Sequence, residues 1–447
     1  MSKRYAIALL TLLLISSSTR ADNCEQLPDS TSLLRAELDA NRVATIPAGV
    51  TYRIADLHMY DNEKLYGPGT LCKSSSATAG VIADGSHITL KDITFSPSTV
   101  SGQPNCDIRL ADGASDIRIT DNDFHGDIYS AICAATDSGV GGSAYVTPAT
   151  GVLITENTFD GYVRPIFLHS VDNFTIQSNI IKDTLRDAIR LRENDGYGII
   201  SGNQFLNIGN GINSTDTQDA VDTFWGGNKL VISDNIVRTT ESMGFDIKGV
   251  SPTNSDLGSR SIIVANNHIS DTRHSGIVLH GDLDTLDSNY SVIINGNIIE
   301  SVTRVQAYAE AAIWAKGAIS YLTISDNQLR SNFARGITIQ TRSGSNDGTV
   351  RGIQINDNTL INNGVDNADS SIGIYLLGVD TAIVTGNTVG NDHRLPNPYT
   401  RFGIFASGVE NGIFKNNILR CNSMSQITVL GNGNIVGDNL EISTGCQ

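Results

Sequence analysis

The chain has 447 residues, 40% of them hydrophobic and only 6% aromatic, and a formal net charge of −16. An overall field of that sign excludes nucleic acid and anionic lipid as partners held by bulk charge, so any grip on an acidic polymer must come from a local basic patch. Six cysteines, with no C-x-x-C pair, point to disulfides in an oxidising compartment and not to metal held through sulfur.

At the start, Lys3 and Arg4 precede the apolar run "YAIALLTLLLISSS" and small residues at Thr19 and Ala21. This is the layout of a signal peptide over residues 1–21, with an apolar run shorter than the roughly 20 residues a membrane span needs. The expectation is a soluble chain, secreted or periplasmic, with one domain over 22–447. Pairing Cys106 with Cys133 and Cys421 with Cys446 is plausible, but spacing does not fix the connectivity.

Next come "VATIPAGVTYRI" and "LYGPGTLC", and then a repeat. Asparagine followed by a residue of any kind and an apolar one recurs as "ENTF", "SNII", "GNQF", "DNIV", "NNHI", "GNII", "DNQL", "DNTL", "GNTV" and "NNIL". These asparagines, at 157, 179, 203, 235, 267, 297, 327, 358, 387 and 417, stand 22 to 32 residues apart, a period that signals a solenoid. Short alternating runs rich in Ile and Val flank each marker, with Asn or Gly at the corners. They predict strands, and no long stretch with a helical period. The pattern resembles the right-handed parallel β-helix of the pectate-lyase-like superfamily over most of the chain after the leader. That resemblance implies an all-β, single-domain solenoid; the fold hosts lyases, hydrolases, epimerases and adhesins.

A Gly-flanked strand follows each marker. Asn179 to Arg190, Asn235 to Asp246 and Asn267 to Val278 are each 11 residues, while other coils carry extra residues at one edge or the other of this strand. Insertions confined to the edges of one strand predict loops that wall a groove. Alternation then gives two outward columns. One runs through Phe167, Arg190, Asp222, Asp246, Val278, Trp314 and Thr338, and the other through His169, Arg192, Phe224, Lys248, His280, Lys316 and Gln340. The ionisable residues gather between His169 and Lys316 and vanish beyond Gln340. The block reads as net basic in an acidic protein, which marks a site and not a solvated face.

Within it, Asp222, Asp246, Lys248, His280 and, ahead of the same strand, His274 are the candidate catalytic residues. Arg190, Arg192, Arg273, His169, Trp314 and Lys316 are the candidates for holding substrate, the arginines by forked contacts to carboxylate or sulfate and Trp314 by stacking on a sugar. Asp216 and Asp219 leave Ca²⁺ open, with a solvated acidic loop the blander reading; no other cofactor or metal is expected. The segment "GGNKLVISDNIVRTTESMGFDIKG" also resembles a stretch of mannuronan C5-epimerases that ends in Tyr-Gly-Phe-Asp-Pro-His. That match sets Asp246 on the aspartate, Lys248 on the histidine, and Arg273–His274 on an Arg-His pair. Met243 stands in place of the tyrosine and Ile247 in place of the proline.

Together these features predict a monomeric enzyme acting on an acidic, uronate-containing polysaccharide. A neutralised carboxylate lets a base (His280, His274 or Lys248) take the C5 proton, and Asp246 assists the neutralisation or orients Lys248. β-Elimination by a lyase stands ahead of C5-epimerisation. The alternatives are an inverting glycoside hydrolase using Asp222 and Asp246, and a non-catalytic glycan-binding or adhesive β-helix.

Overall fold

The computed structural model describes residues 24–96, 106–126, 129–134, 147–194, 196–210, 218–224, 229–248, 260–281, 290–304, 310–317, 319–341, 350–364, 371–392 and 400–443. The expected leader and many of the expected groove-wall insertions lie outside these residues. The described chain winds into three parallel sheets of 15, 15 and 14 strands, each coil giving one strand to each sheet in turn. Such a solenoid is the right-handed parallel β-helix anticipated from the repeat.

The interior is filled by inward residues that stack coil upon coil. In the third sheet, Ile189, Val221, Phe245, Ile277, Ile313 and Ile337 lie in one register row, each fully buried. Ile247 and Leu279 are buried beside them, as the alternation requires. β-Branched side chains suit this geometry because each packs against its like about 4.8 Å above and below. In the second sheet Phe95, Phe124 and Phe159 stack with ring centroids 4.6 and 4.8 Å apart.

All ten marker asparagines are buried in a single ladder, which Asn122 extends at one end and Asn439 at the other. Asn267 is representative. Its Nδ2 donates to Asn297 Oδ1 at 2.9 Å and to the carbonyls of Ile232 and Ala265, while its Oδ1 accepts from the backbone N–H and the Nδ2 of Asn235. The residue before each rung is in the left-handed region, with φ of 58° at Asp234, 57° at Asn266 and 67° at Gly296. That is why Asn, Asp and Gly dominate the position, since they tolerate positive φ best.

One element departs from the all-strand expectation. Thr31–Asn41 is an α-helix at the N-terminal end, with Leu34 and Leu38 fully buried against the first coils. The first coil of a solenoid would otherwise expose its apolar interior, and two leucines four residues apart close it. The Cys24–Cys72 and Cys106–Cys133 disulfides form, the second as the spacing suggested. Cys421 is also disulfide-bonded, and Cys446 lies outside the described residues. Disulfides fit an oxidising compartment. Among the described residues no helix is long and apolar enough to cross a membrane.

Candidate functional site

The third sheet sets Arg190, Asp222, Asp246, Val278 and Trp314 in one register column, with Lys248, His280 and Lys316 in the next. The count from the asparagine rungs therefore placed both columns correctly. Along them acids and bases alternate in a continuous chain. Arg164 Nε lies 3.0 Å from Asp187 Oδ2, which Arg190 Nη1 also reaches at 3.2 Å. Arg190 Nε is 3.3 Å from Asp222 Oδ2. Lys248 Nζ bonds to Asp222 Oδ1 and, at 2.5 Å, to Asp246 Oδ2. His280 Nε2 completes the chain 2.8 Å from Asp246 Oδ1.

The chain is layered. The side chains of Asp187 and Asp222 are 0% exposed and that of Asp246 2%, whereas Lys248 and His280 keep 20% and 28% of theirs in solvent. Carboxylates form the floor, and Lys248 and His280 the accessible surface. Buried charges persist only when paired, and each ionised floor acid has a cation on it. Burial acts to raise the Asp246 pKa, but the contacts with His280 and Lys248 outweigh it and hold the carboxyl at about 2. Burial likewise opposes the charge on Lys248, and the nearby Asp222, Asp246 and Asp219 reverse this, pushing the ammonium above its ordinary value. Lys248 is thus held protonated, which removes it from the candidate bases and keeps it as a candidate neutraliser of substrate charge. Asp246 orients both Lys248 and His280, not Lys248 alone.

Two acids of the cluster were not in the outward columns. Asp187 and Asp219 stand two residues ahead of the inward Ile189 and Val221, at the corner leading into the strand. The repeated triplets "DAI" and "DAV" were the available signal. Asp219 is fully buried. Burial, and then repulsion by Asp246, Asp187 and Asp222, raises its pKa well above the usual carboxylate value. Its Oδ1 accepts from the Met243 N–H at 2.8 Å, and its Oδ2 has no hydrogen-bond partner among the described residues. Burial and Asp222 raise Asp187 as well, against Arg164 and Arg190. With four carboxylates against Arg164, Arg190 and Lys248, the cluster is not net basic as the columns alone implied. Of its cations Lys248 is the most exposed, whereas Arg164 is buried with the acids.

Asp187, Asp219 and Asp222 also bring carboxylate oxygens within 4.8 Å of one another. Three donors already facing Arg164, Arg190 and Lys248 do not fit a Ca²⁺ cage of six to eight oxygens. They suit a shared proton, consistent with the raised pKa values of Asp187 and Asp219. Asp216, the other residue considered for Ca²⁺, lies outside the described residues.

The remaining candidates divide. Trp314 is half-buried under Lys316, whose Nζ is 3.9 Å from the ring centroid. Arg192 is only 6% exposed, with its guanidinium 5.7 Å from the Phe167 ring centroid, so Arg190 and Arg192 do not offer twin forks at the surface. His169 is buried too, its Nε2 3.2 Å from Glu193, and is not open to a substrate. The reason is shared: at these N-terminal coils the outward Phe167 is itself buried, so the face there is covered. His274 pairs through Nδ1 with Glu310 at 2.7 Å, on the leading corner, and Arg273 pairs with Glu241 at 3.5 Å in a half-exposed position. Neither is paired with a member of the Asp246 cluster.

Residues 70–255 match the family model described as the right handed beta helix region. No curated protein matches the sequence. Among solved structures, the tailspike protein of E. coli bacteriophage HK620 in complex with a pentasaccharide aligns at 13% identity and a TM-score of 0.56, over 93% of this chain and 75% of that one. The catalytic domain of a GH87 alpha-1,3-glucanase in complex with nigerose aligns at 15% identity and a TM-score of 0.54, over 95% of this chain and 68% of that one. A mannuronan C-5 epimerase A-module from Azotobacter vinelandii also aligns, at 13% identity, but with a TM-score of 0.42 it bears no weight. Likeness at these identities shows the fold, here shared with proteins that hold or process glycans.

Proposed function

We propose that this protein is an exported enzyme that removes the C5 proton from a uronate residue of an acidic polysaccharide, with β-elimination as the outcome ahead of epimerisation. The observation that carries the reading is the layering of the cluster. A histidine held by a buried, ionised aspartate stands at the surface beside cations that keep donors to spare.

His280 contacts Asp246 through Nε2, which leaves Nδ1 as the nitrogen not engaged by the aspartate. Neutral imidazole in that tautomer accepts a proton at Nδ1, and the ionised Asp246 stabilises the imidazolium that results. The C5 proton of a uronate is removable only when its carboxylate is neutralised. Lys248 has three N–H donors and gives two to Asp222 and Asp246, while Arg190 donates to Asp187 through Nη1 and lies in ion-pair contact with Asp222, so each retains a donor for the substrate. The carbanion formed at C5 then expels the C4 oxygen substituent as the C4–C5 double bond forms. Water or the imidazolium returns a proton to the leaving oxygen. Reprotonation at C5 from the opposite face gives the epimer instead. Met243, where the resemblance would place a tyrosine, supplies no proton for that second face and keeps elimination ahead.

The rival is hydrolysis, and one observation favours it: Asp219 is driven toward protonation while nearby Asp246 is held ionised, the divergence expected of an acid and a base. Against it, Asp222 and Asp246 close on one ammonium instead of standing the about 6.5–9.5 Å apart that an inverting pair needs. Incubation with a panel of polyuronates separates the two. Growth of the ultraviolet band of an unsaturated uronate supports elimination, and new reducing ends with no such band assign a hydrolase.

A further inference from the structure

Beyond the cluster, the outward face continues through Trp314, Thr338, Tyr375 and Phe405, which occupy one register column. Tyr375 and Phe405 stack with centroids 5.9 Å apart and planes 23° from parallel, and Phe402 meets Phe405 edge-on at 5.4 Å. Aromatic rings on successive coils of a groove make an apolar floor of the kind that carries sugar rings.

Arg335 stands at the edge of this floor. It opens the strand Arg335–Gln340, three coils beyond Phe245–Lys248 and so about 14 Å along the axis. Its Cζ is 4.2 Å from the Tyr375 ring centroid. The cations Arg164, Arg190 and Lys248 each hold a carboxylate, but among the described residues Arg335 has none within ion-pair distance. Its Nε is buried without a hydrogen-bond partner. Burial presses its pKa below the usual guanidinium value, with only Tyr375 opposing, so the charge is desolvated and uncompensated. The attraction of a tyrosine face for a cation is weaker than the penalty of leaving a charge partly buried and unpaired. An anion in the groove would remove that deficit.

We propose that Arg335 and Tyr375 form a distal subsite that takes the anionic group of a second sugar of the polymer bound at His280 and Lys248. The guanidinium holds the anion, and the Trp314–Tyr375–Phe405 floor carries the rings. This rests on the polyuronate reading and extends it. The polymer runs along the solenoid axis toward the C-terminal coils, cleavage or epimerisation is internal to the chain, and an oligomer too short to span three coils forgoes the contact.

The test is calorimetric titration of long and short oligouronides, with neutral glucan oligomers of equal length as controls, in a His280→Ala background that prevents turnover. Arg335→Ala lowers affinity for the long oligouronide roughly tenfold or more, as loss of a hydrogen-bonded charge predicts. It also abolishes the advantage of long over short, and Arg335→Lys restores part of it. Arg335→Gln, which keeps the bulk against Tyr375, gives the same loss should the alanine variant fold poorly. Equal affinity for the long oligouronide with and without Arg335 overturns the subsite alone. If oligouronides bind no better than neutral glucans even with Arg335 present, both the subsite and the polyuronate reading fall.

Discussion

Along the asparagine corner each side-chain amide from Asn122 to Asn417 donates a hydrogen bond to the next, ending at Asn439, and each rung from Asn157 on accepts a backbone N–H from the coil before. On the outward face of the third sheet and the corner leading into it the polar atoms fare differently. Asp219 Oδ2, Trp314 Nε1, Arg335 Nε and Thr338 Oγ1 are buried without hydrogen-bond partners among the described residues, and charges are packed several deep. Both regions are built from the same coil repeated at the same pitch. Uniform satisfaction marks the corner as scaffold, because a neutral, self-complementary amide can be repeated indefinitely. Unmet hydrogen-bonding capacity costs stability, and it persists where a ligand uses it.

The comparison is sharpest at Lys248, which belongs to both economies. Lys248→Ala leaves Asp222 and Asp246 without their shared cation, a loss expected to destabilise by about 3–5 kcal/mol. It should also abolish turnover, and chemical denaturation beside a rate assay shows whether both effects appear together. Wild-type stability would mean that the floor acids are not ionised as described.

His280→Ala probes function without scaffold. The ring is partly exposed and Asp246 keeps Lys248, so turnover should fall by about 10²–10⁴ while the thermal midpoint stays nearly fixed. A large drop in the midpoint would move His280 to the structural side of the comparison.

Asn267→Ala does the reverse. It strips the buried Asn235 N–H of its acceptor and interrupts the ladder, so a loss of about 3 kcal/mol in stability is expected, with unchanged turnover per folded molecule. Active-site titration of the folded fraction checks the second half of that statement.

A pH-dependent effect that leaves turnover untouched lies at the N-terminal coils, where Asp107 is buried beneath Tyr162, whose hydroxyl donates to it at 2.5 Å. Burial, against that hydrogen bond and Lys73, pushes its carboxyl up to about 7. The folded state keeps this proton up to about pH 7 while the unfolded chain releases it near pH 4, so stability should decline as pH rises between those values. Asp107→Asn removes that slope, and thermal midpoints across the range should converge toward the acid value. An unchanged slope would place the ionisation elsewhere. Asp246, lowered to about 2, works in the opposite sense, contributing stability that is lost only as pH falls below about 4.

Much was legible because a solenoid turns sequence position into spatial position. The asparagine rungs fixed the coil boundaries, and the alternating strand that follows each rung, after 11 residues or after a longer insertion, set Asp246 beside Asp222 and Lys248 beside His280. Alternation told which residues face out. It did not tell which outward residues are covered, and His169 and Arg192 are buried. Corners defeated the count altogether. Asp187 and Asp219 sit ahead of their strands, where a period of two assigns them no direction. The helix Thr31–Asn41 was missed for a related reason, since its two leucines signal a cap only once there is an open end to close.

The sequence by itself determined the period, the fold and the register, because each depends on neighbours at fixed separations along the chain. Only the tertiary structure decided the protonation and exposure of the cluster. Those depend on how many charges meet in one desolvated volume, and Arg164, Asp187, Asp219, Asp222, Asp246 and Lys248 come to it from four coils.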